Sequence, residues 1–358
     1  MCNNSIGIFS ESSPILTNVS FHDNSARNIG GAIYNQGNSG GRIRLFLGNS
    51  VLWGNKATNG SQIYNESDTN ITIHYSLIED GDVGIGGNSD TNAFSTGTGN
   101  INANPLFADA ASGDLRLLPN SPAIDSGNNS GAPSTDIQGL SRPINTVVDM
   151  GAHESQGFNL TISDGNTQTA TVSSDFATRL QVTATSPMGE PIGPNGTITF
   201  IPPSVGPGLD SNGPFKATTD VDGLAIASIT SNAVTGSYIV TATARGVITP
   251  VVFLLTNIPR LSVIRDGNGV GKIASVPEAI DCGITCTTGF ESGMMVNLTA
   301  TPEIGSMFDG WSGACAGIGI CTVTMTETKI VTATFSLNRY MIEAVSYTHL
   351  TLPTNREV

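Results

Sequence analysis

The sequence predicts an all-β chain: the end of a right-handed parallel β-helix with a cap, then a β-sandwich, then a small β domain with paired cysteines. Three observations carry that expectation. Short apolar runs near the N-terminus recur at roughly thirty residues, the range of stacked repeats. Strand-length alternating runs, parted by Gly, Pro, Asn and Asp turns, fill the middle of the chain. No amphipathic helical period and no heptad pattern is found.

Composition bounds the function. At 358 residues several domains are expected. The chain has 42 Gly, 6% aromatic residues and 12% charged residues, which suits exported all-β proteins rich in turns. The net charge is −14 and no Lys/Arg cluster occurs, which argues against nucleic acid and anionic membrane surfaces as partners. A membrane-spanning helix needs about eighteen consecutive apolar residues, and the sequence has no such stretch. Nor is a signal peptide found, and Met1 sits inside a repeat, so an N-terminally truncated helix is expected.

Residues 1–103 are the predicted β-helix coils. Phe21-His22-Asp23-Asn24 returns as Leu52-Trp53-Gly54-Asn55, and Ile33-Tyr34-Asn35 returns as Ile63-Tyr64-Asn65. Met1-Cys2-Asn3 is placed one turn earlier. Asn24 and Asn55 are expected at turns, where Asn tolerates left-handed angles, and in ladders along the stack. Gly30-Gly31 is expected where a side chain would strike the next coil. Ile33, Ile63, Phe21 and Leu52 should face inward, and Thr17, Ser20, Arg44 and Thr72 outward. Residues 81–99 are polar and Gly-rich and are read as a loop. The pair FxxN and GGAI resembles the repeats of chlamydial polymorphic outer-membrane proteins and related bacterial β-helix surface proteins.

Residues 104–156 form the second landmark. Asn104-Pro105-Leu106-Phe107, Gly113-Asp114-Leu115-Arg116-Leu117, Ser121-Pro122-Ala123-Ile124-Asp125-Ser126-Gly127, Asp136 to Pro143 and Asp149-Met150-Gly151-Ala152-His153-Glu154 follow in order. They resemble the choice-of-anchor Q segment of bacterial surface proteins, which implies the end of a β-helix before attachment modules. An open coil has unpaired edges, and this segment is expected to cover them.

Residues 157–257 are read as the sandwich, with strands at 170–172, 180–184, 197–200, 224–229 and 237–242. Thr218-Thr219-Asp220-Val221-Asp222-Gly223 followed by Gly236-Ser237-Tyr238 resembles the bacterial Ig-like domains of invasin-type adhesins. Residues 258–337 carry Cys282-Gly283-Ile284-Thr285-Cys286, Phe308-Asp309-Gly310-Trp311, Cys315 and Cys321, and resemble the divergent internalin B-type repeat. Residues 338–344 look like the start of a further copy, and residues 345–358 like a translated sequencing adapter.

Candidate sites are few. The spacing of Cys282, Cys286, Cys315 and Cys321 suits a Cys₄ zinc site poorly, so two local disulfides are expected in an exported protein. Cys2 is placed as a rung residue. Asp220-Val221-Asp222-Gly223 opens like a calcium loop but lacks the distal Glu, so an Asp-Gly turn is favoured. Glu79, Asp80, Asp82 and Asp90 could be glycosidase or lyase carboxylates, with Arg42 and Arg44 nearby, but they form no ordered triad. His22, His74 and His153 are scattered, and His153-Glu154 lacks a second zincin His. Phe308 and Trp311 are expected to anchor a core rather than bind a ligand. Asn18, Asn70 and Asn297 begin glycosylation triplets of the kind this composition gives by chance. No cofactor, metal or catalytic residue is assigned. The expected function is a non-enzymatic, surface or secreted adhesin-like protein, outer-membrane associated, contacting a glycan or another cell-surface ligand. The alternative is a β-helix carbohydrate-active enzyme whose catalytic coils lie upstream.

Overall fold

The computed structural model describes residues 6–8, 13–37, 43–88, 90–282 and 286–338. Met1-Cys2-Asn3, Arg42, residues 339–344 and residues 345–358 lie outside them.

The described coil residues form ten strands of two to six residues. They are β1 (Ile6–Ile8), β2 (Ile15–Thr17), β3 (Ser20–His22), β4 (Ile33–Asn35), β5 (Ile43–Gly48), β6 (Val51–Trp53), β7 (Ile63–Asn65), β8 (Thr69–His74), β9 (Leu77–Ile78) and β10 (Ile85–Gly87). They form three sheets, β1-β4-β7-β10, β2-β5-β8 and β3-β6-β9. The assigned pairings within these sheets are all parallel. Ile33 pairs with Ile63, and Phe21 with Leu52, as the repeat spacing required. Phe21, Leu45, Leu47, Leu52, Ile63 and Ile73 share one core. Fully burying such a side chain is worth about 1.5–3 kcal/mol, so neighbouring coils stabilise each other.

The polar repeats have distinct jobs. Asn55 is buried; its Oδ1 accepts from the backbone N–H (3.0 Å) and side-chain amide (2.9 Å) of Asn24 one coil away. Asn35 donates to Asn65 in the same manner. The left-handed angles expected at Asn24 and Asn55 fall one residue earlier, at Asp23 and Gly54. The reason is direction: Asn24 and Asn55 must aim their amides along the stack. Among the described coil residues the left-handed asparagines are Asn18 and Asn49, at the neighbouring corner. Gly31 behaves as expected, since a Cβ there would lie 2.1 Å from Ser61 O on the next coil.

Two readings are corrected. The rung preceding Ile33-Tyr34-Asn35 is Ile6-Gly7-Ile8, not Met1-Cys2-Asn3. Residues 81–99 are the last rung rather than a loop: a 3₁₀ turn at Gly81–Gly84, β10, and α1 (Ala93–Thr96). Their glycines disguise this. A Cβ on Gly86 would sit 2.0 Å from Asn59 Oδ1, and one on Gly87 1.9 Å from Asn65 O. The coils also shorten, from 31 residues between Asn24 and Asn55 to 26 between Ser50 and Ser76.

The 104–156 segment opens with the hairpin β11 (Phe107–Asp109) and β12 (Asp114–Leu117). It then runs along the flank of the coils. Gly151 N donates to Asn49 O (2.7 Å), Asn18 Nδ2 to Asp149 O (2.9 Å) and Ala152 N to Ser20 Oγ (3.0 Å). The outward row Ser20–Val51–Leu77 is thereby covered, and Val51 and Leu77 pack on Ala123, Ile124 and Met150. Ser20 therefore faces away from the coil interior, as expected, yet is not an open surface residue.

The sandwich strands are β13 (Asn159–Asp164), β14 (Gln168–Thr171), β15 (Leu180–Thr185), β16 (Thr197–Ile201), β17 (Phe215–Thr218), β18 (Leu224–Ala227), β19 (Gly236–Thr243) and β20 (Val251–Ile258). They make two sheets, β13-β15-β18 and β14-β20-β19-β16-β17, around Val182, Ile198, Phe200, Val240 and Phe253. Phe158 joins the sandwich to the coil flank, packing with Ile124 and Met150.

A second compact unit begins at Ile258. It contains β21 (Arg260–Asp266), β22 (Gly271–Val276), β23 (Thr287–Gly289), β24 (Met295–Pro302), β25 (Ser306–Gly313), β26 (Cys321–Thr324) and β27 (Lys329–Leu337). Sheets β23-β21-β27-β25 and β22-β24-β26 enclose Leu261, Val296, Leu298, Trp311 and Phe335.

Candidate functional site

The outward side of β2-β5-β8 follows from strand alternation. Leu16, Leu47 and Ile73 point inward as one row, so the rows beside them point out. One outward row is Ile15–Phe46–Thr72 and the next is Thr17–Gly48–His74. Arg44 and Asn70 continue the face. Of the predicted outward residues, Thr17, Arg44 and Thr72 lie here.

This face is not flat. A cleft of about 360 Å³ opens over Gly48. Phe46, His74 and Tyr75 form its aromatic side, and Asn128 and Ser130 the other. Gly48 keeps the floor low, since a Cβ there would lie 2.8 Å from Phe46 Cε1. The ring of Phe46 tilts toward His74, with centroids 6.1 Å apart. His74 Nδ1 accepts from Thr98 N at 3.0 Å. The far wall is fastened by Asn49, which accepts from Asn128 N (2.7 Å) and donates to Asn128 O (2.8 Å). The sequence did not disclose this cleft, because its walls lie about eighty positions apart. Its one legible signal is an aromatic side chain, Phe46, at an outward strand position.

The candidate carboxylates do not converge. Glu79 Oε2 accepts from Gly54 N (2.6 Å) and Gln62 Nε2 (3.1 Å). Asp82 Oδ1 accepts from Phe94 N (3.0 Å) and Ser95 N (3.1 Å), fastening α1. Asp90 Oδ2 accepts from Asn70 Nδ2 (2.7 Å) and Ile71 N (3.2 Å). Asp80 is a left-handed turn residue. Asp220 Oδ1 accepts from Asp222 N and Leu224 N, both at 2.9 Å, as an Asp-Gly turn does. No group of three or more His, Cys, Asp or Glu side chains placed to hold a metal occurs among the described residues.

The histidines are also apart. His22 Nδ1 lies 2.8 Å from Trp53 O. His153 sits beside a buried polar knot that residue types alone do not announce. Arg142 Nε lies 3.0 Å from Glu154 Oε2, with both side chains nearly inaccessible. Glu154 also accepts from Asp149 N (2.9 Å) and Ile144 N (3.2 Å). Asp149 accepts from Asp125 N (2.8 Å) and Ser155 N (2.6 Å). Burial, and then the charge of Glu154, push the Asp149 carboxyl well above its ordinary value of 3.8. Burial likewise raises Glu154 and lowers His153. On another face Tyr34 donates to Glu66, and burial followed by that bond pushes its phenol up to about 12.

In the second unit Cys282 is bonded to Cys286 and Cys315 to Cys321, with Cα atoms 4.5 and 5.8 Å apart. Trp311 is 5% exposed, donates Nε1–H to Gly319 O (2.8 Å), and meets Phe308 edge-on at 5.1 Å. Trp311 is thus a core residue, and Phe308 packs against that core partly buried.

Residues 276–339 match the family model described as divergent InlB B-repeat domain. Among solved structures, the chain is similar to the C-terminal 282-residue fragment of intimin, crystallised with the intimin-binding domain of the translocated intimin receptor. That similarity is 18% in identity, covers 49% of this chain and 61% of the fragment, and has a TM-score of 0.23. The chain thus spans less than two thirds of that fragment, and a TM-score so low says nothing about shared architecture. No curated protein matches the chain.

Proposed function

We propose that the chain is part of a non-enzymatic surface or secreted adhesin-like protein. The β-helix supplies the contact face, and the sandwich and small repeat hold it away from its point of attachment. The carrying observation is the β2-β5-β8 face, which presents hydroxyls, amides and an aromatic-walled cleft. The divergent InlB B-repeat match supports a surface setting. Glu79, Asp82 and Asp90, the groups a hydrolase or lyase reading needs, are engaged in holding coils and α1 together. No helix among the described residues is long and apolar enough to cross a membrane. The ligand class proposed is a glycan or another cell-surface molecule, and the location is extracellular or at the bacterial surface.

Cell-adhesion assays on the whole chain and on residues 258–358 alone test this reading. Adhesion by the whole chain, lost in the isolated second unit, is expected. Equal adhesion by the second unit would move the adhesive role to the repeat.

A further inference from the structure

We propose that the cleft over Gly48 binds one neutral sugar unit of a glycan. This rests on the adhesin-like reading above and names its ligand. The cleft, at about 360 Å³, lies at the small end of ligand pockets, which run from about 300 to 1,000 Å³. That suits a single ring of a longer chain, with the rest of the glycan lying along the exposed face.

The lining decides the chemistry. Phe46 and Tyr75 give apolar ring surface. Thr17 and Ser130 give hydroxyls, and Asn128 an amide. Among the described residues no carboxylate, Lys or Arg lines the cleft. His74 accepts Thr98 N–H at Nδ1, which leaves Nε2 as the ring's donor. A phosphate, a uronate or a cation would shed water here without meeting an opposite charge. A purely apolar ligand would strip water from hydroxyls and amides and leave them unpaired. A neutral sugar satisfies both constraints, with C–H faces for the rings and hydroxyl edges for Thr17, His74 and Ser130.

The register explains why the space exists. Thr17, Gly48 and His74 share one outward row, and Gly48 is the gap in it. The second wall is held by its main chain at Asn128 and by the side chain of Asn129, which donates to Thr146 O (2.8 Å) and accepts from Val148 N (3.0 Å), so Ser130 stands exposed above the cleft.

The test uses the full chain on immobilised neutral gluco-, manno- and galacto-oligosaccharides, with polygalacturonate as the acidic comparator. Binding to at least one neutral set is expected, and none to polygalacturonate. Phe46→Ala should weaken binding about tenfold or more, the size expected for one lost stacking partner. Ser130→Trp, on an exposed loop residue, should fill the cleft and abolish binding without disturbing the fold. Tyr34→Ala, on another sheet, should bind as the parent does. Circular dichroism checks that each variant is folded. Neutral binding that survives both Phe46→Ala and Ser130→Trp overturns the cleft, as does binding to polygalacturonate alone or to no oligosaccharide. If the chain still adheres to cells in those cases, only the cleft proposal fails. If it adheres to nothing, the adhesin-like reading fails with it.

Discussion

Arg142 is the cation of a knot that also holds Glu154 and Asp149, all three buried. Removing one member of such a set leaves the others uncompensated. Arg142→Met is therefore expected to cost about 3–5 kcal/mol, measured by urea unfolding of the first unit. The carboxylates also give the fold a pH signature. Asp149 and Glu154 bind protons more tightly when folded than at their ordinary 3.8 and 4.5. Their contribution is complete below about pH 4 and is lost as pH rises through the raised values. Asp114 acts oppositely: its hydrogen bond to Arg116 lowers its pKa, and its contribution fades only as pH falls below 3.8. Between pH 4 and 7 these two carboxylates thus lower the urea midpoint as pH rises, against the opposite contribution of the lowered His153, and Asp149→Asn should remove part of that fall. None of this knot was legible from residue types alone. Asp136, Arg142 and Glu154 were visible as a motif, but only the folded loop shows that their charges are inside.

Rungs are stabilised less by propensity than by what the next rung permits. Gly31→Ala sets a methyl against the Ser61 carbonyl, and backbone cannot yield as a side-chain end can. A loss of about 1–3 kcal/mol is expected in thermal or urea melts. Asp82→Ala unfastens two α1 amides and should cost about 0.5–2 kcal/mol, as a lost helix cap does, while leaving glycan binding intact. A parallel assay of polysaccharide cleavage that fell in step with this variant would revive the enzyme reading. The inward rows at Ile33, Ile63, Phe21 and Leu52 could be read from periodicity, because a repeated register must fill one core. The last rung could not. In Gly84, Gly86 and Gly87 the absence of side chains serves close packing, and composition alone cannot tell that from a flexible linker.

The chain folds as two units, with the coils, flank segment and sandwich sharing the first. Calorimetry should show two transitions. Reductant should lower only the one belonging to residues 258–358, where each short disulfide loop contributes about 2 kcal/mol. The succession of modules was legible because each carries its own spacing of strands and turns. That residues 104–156 would lie along the coils was not. A covering segment can lie along the side or across the end of a stack, and only contacts such as Asn18 with Asp149 decide between them. One of those contacts reaches further. Asn49 grips residue 128 by its peptide group, which every amino acid other than proline supplies in full. The coils' grip on residue 128 is therefore made without any demand on that residue's side chain. Residue 130, exposed and between the bonded Asn129 and the left-handed Gly131, can be rewritten by drift, or by a library built in the laboratory, while the coils beneath keep their stacking. The protein separates a fixed scaffold from a changeable rim, and a new specificity needs no new fold.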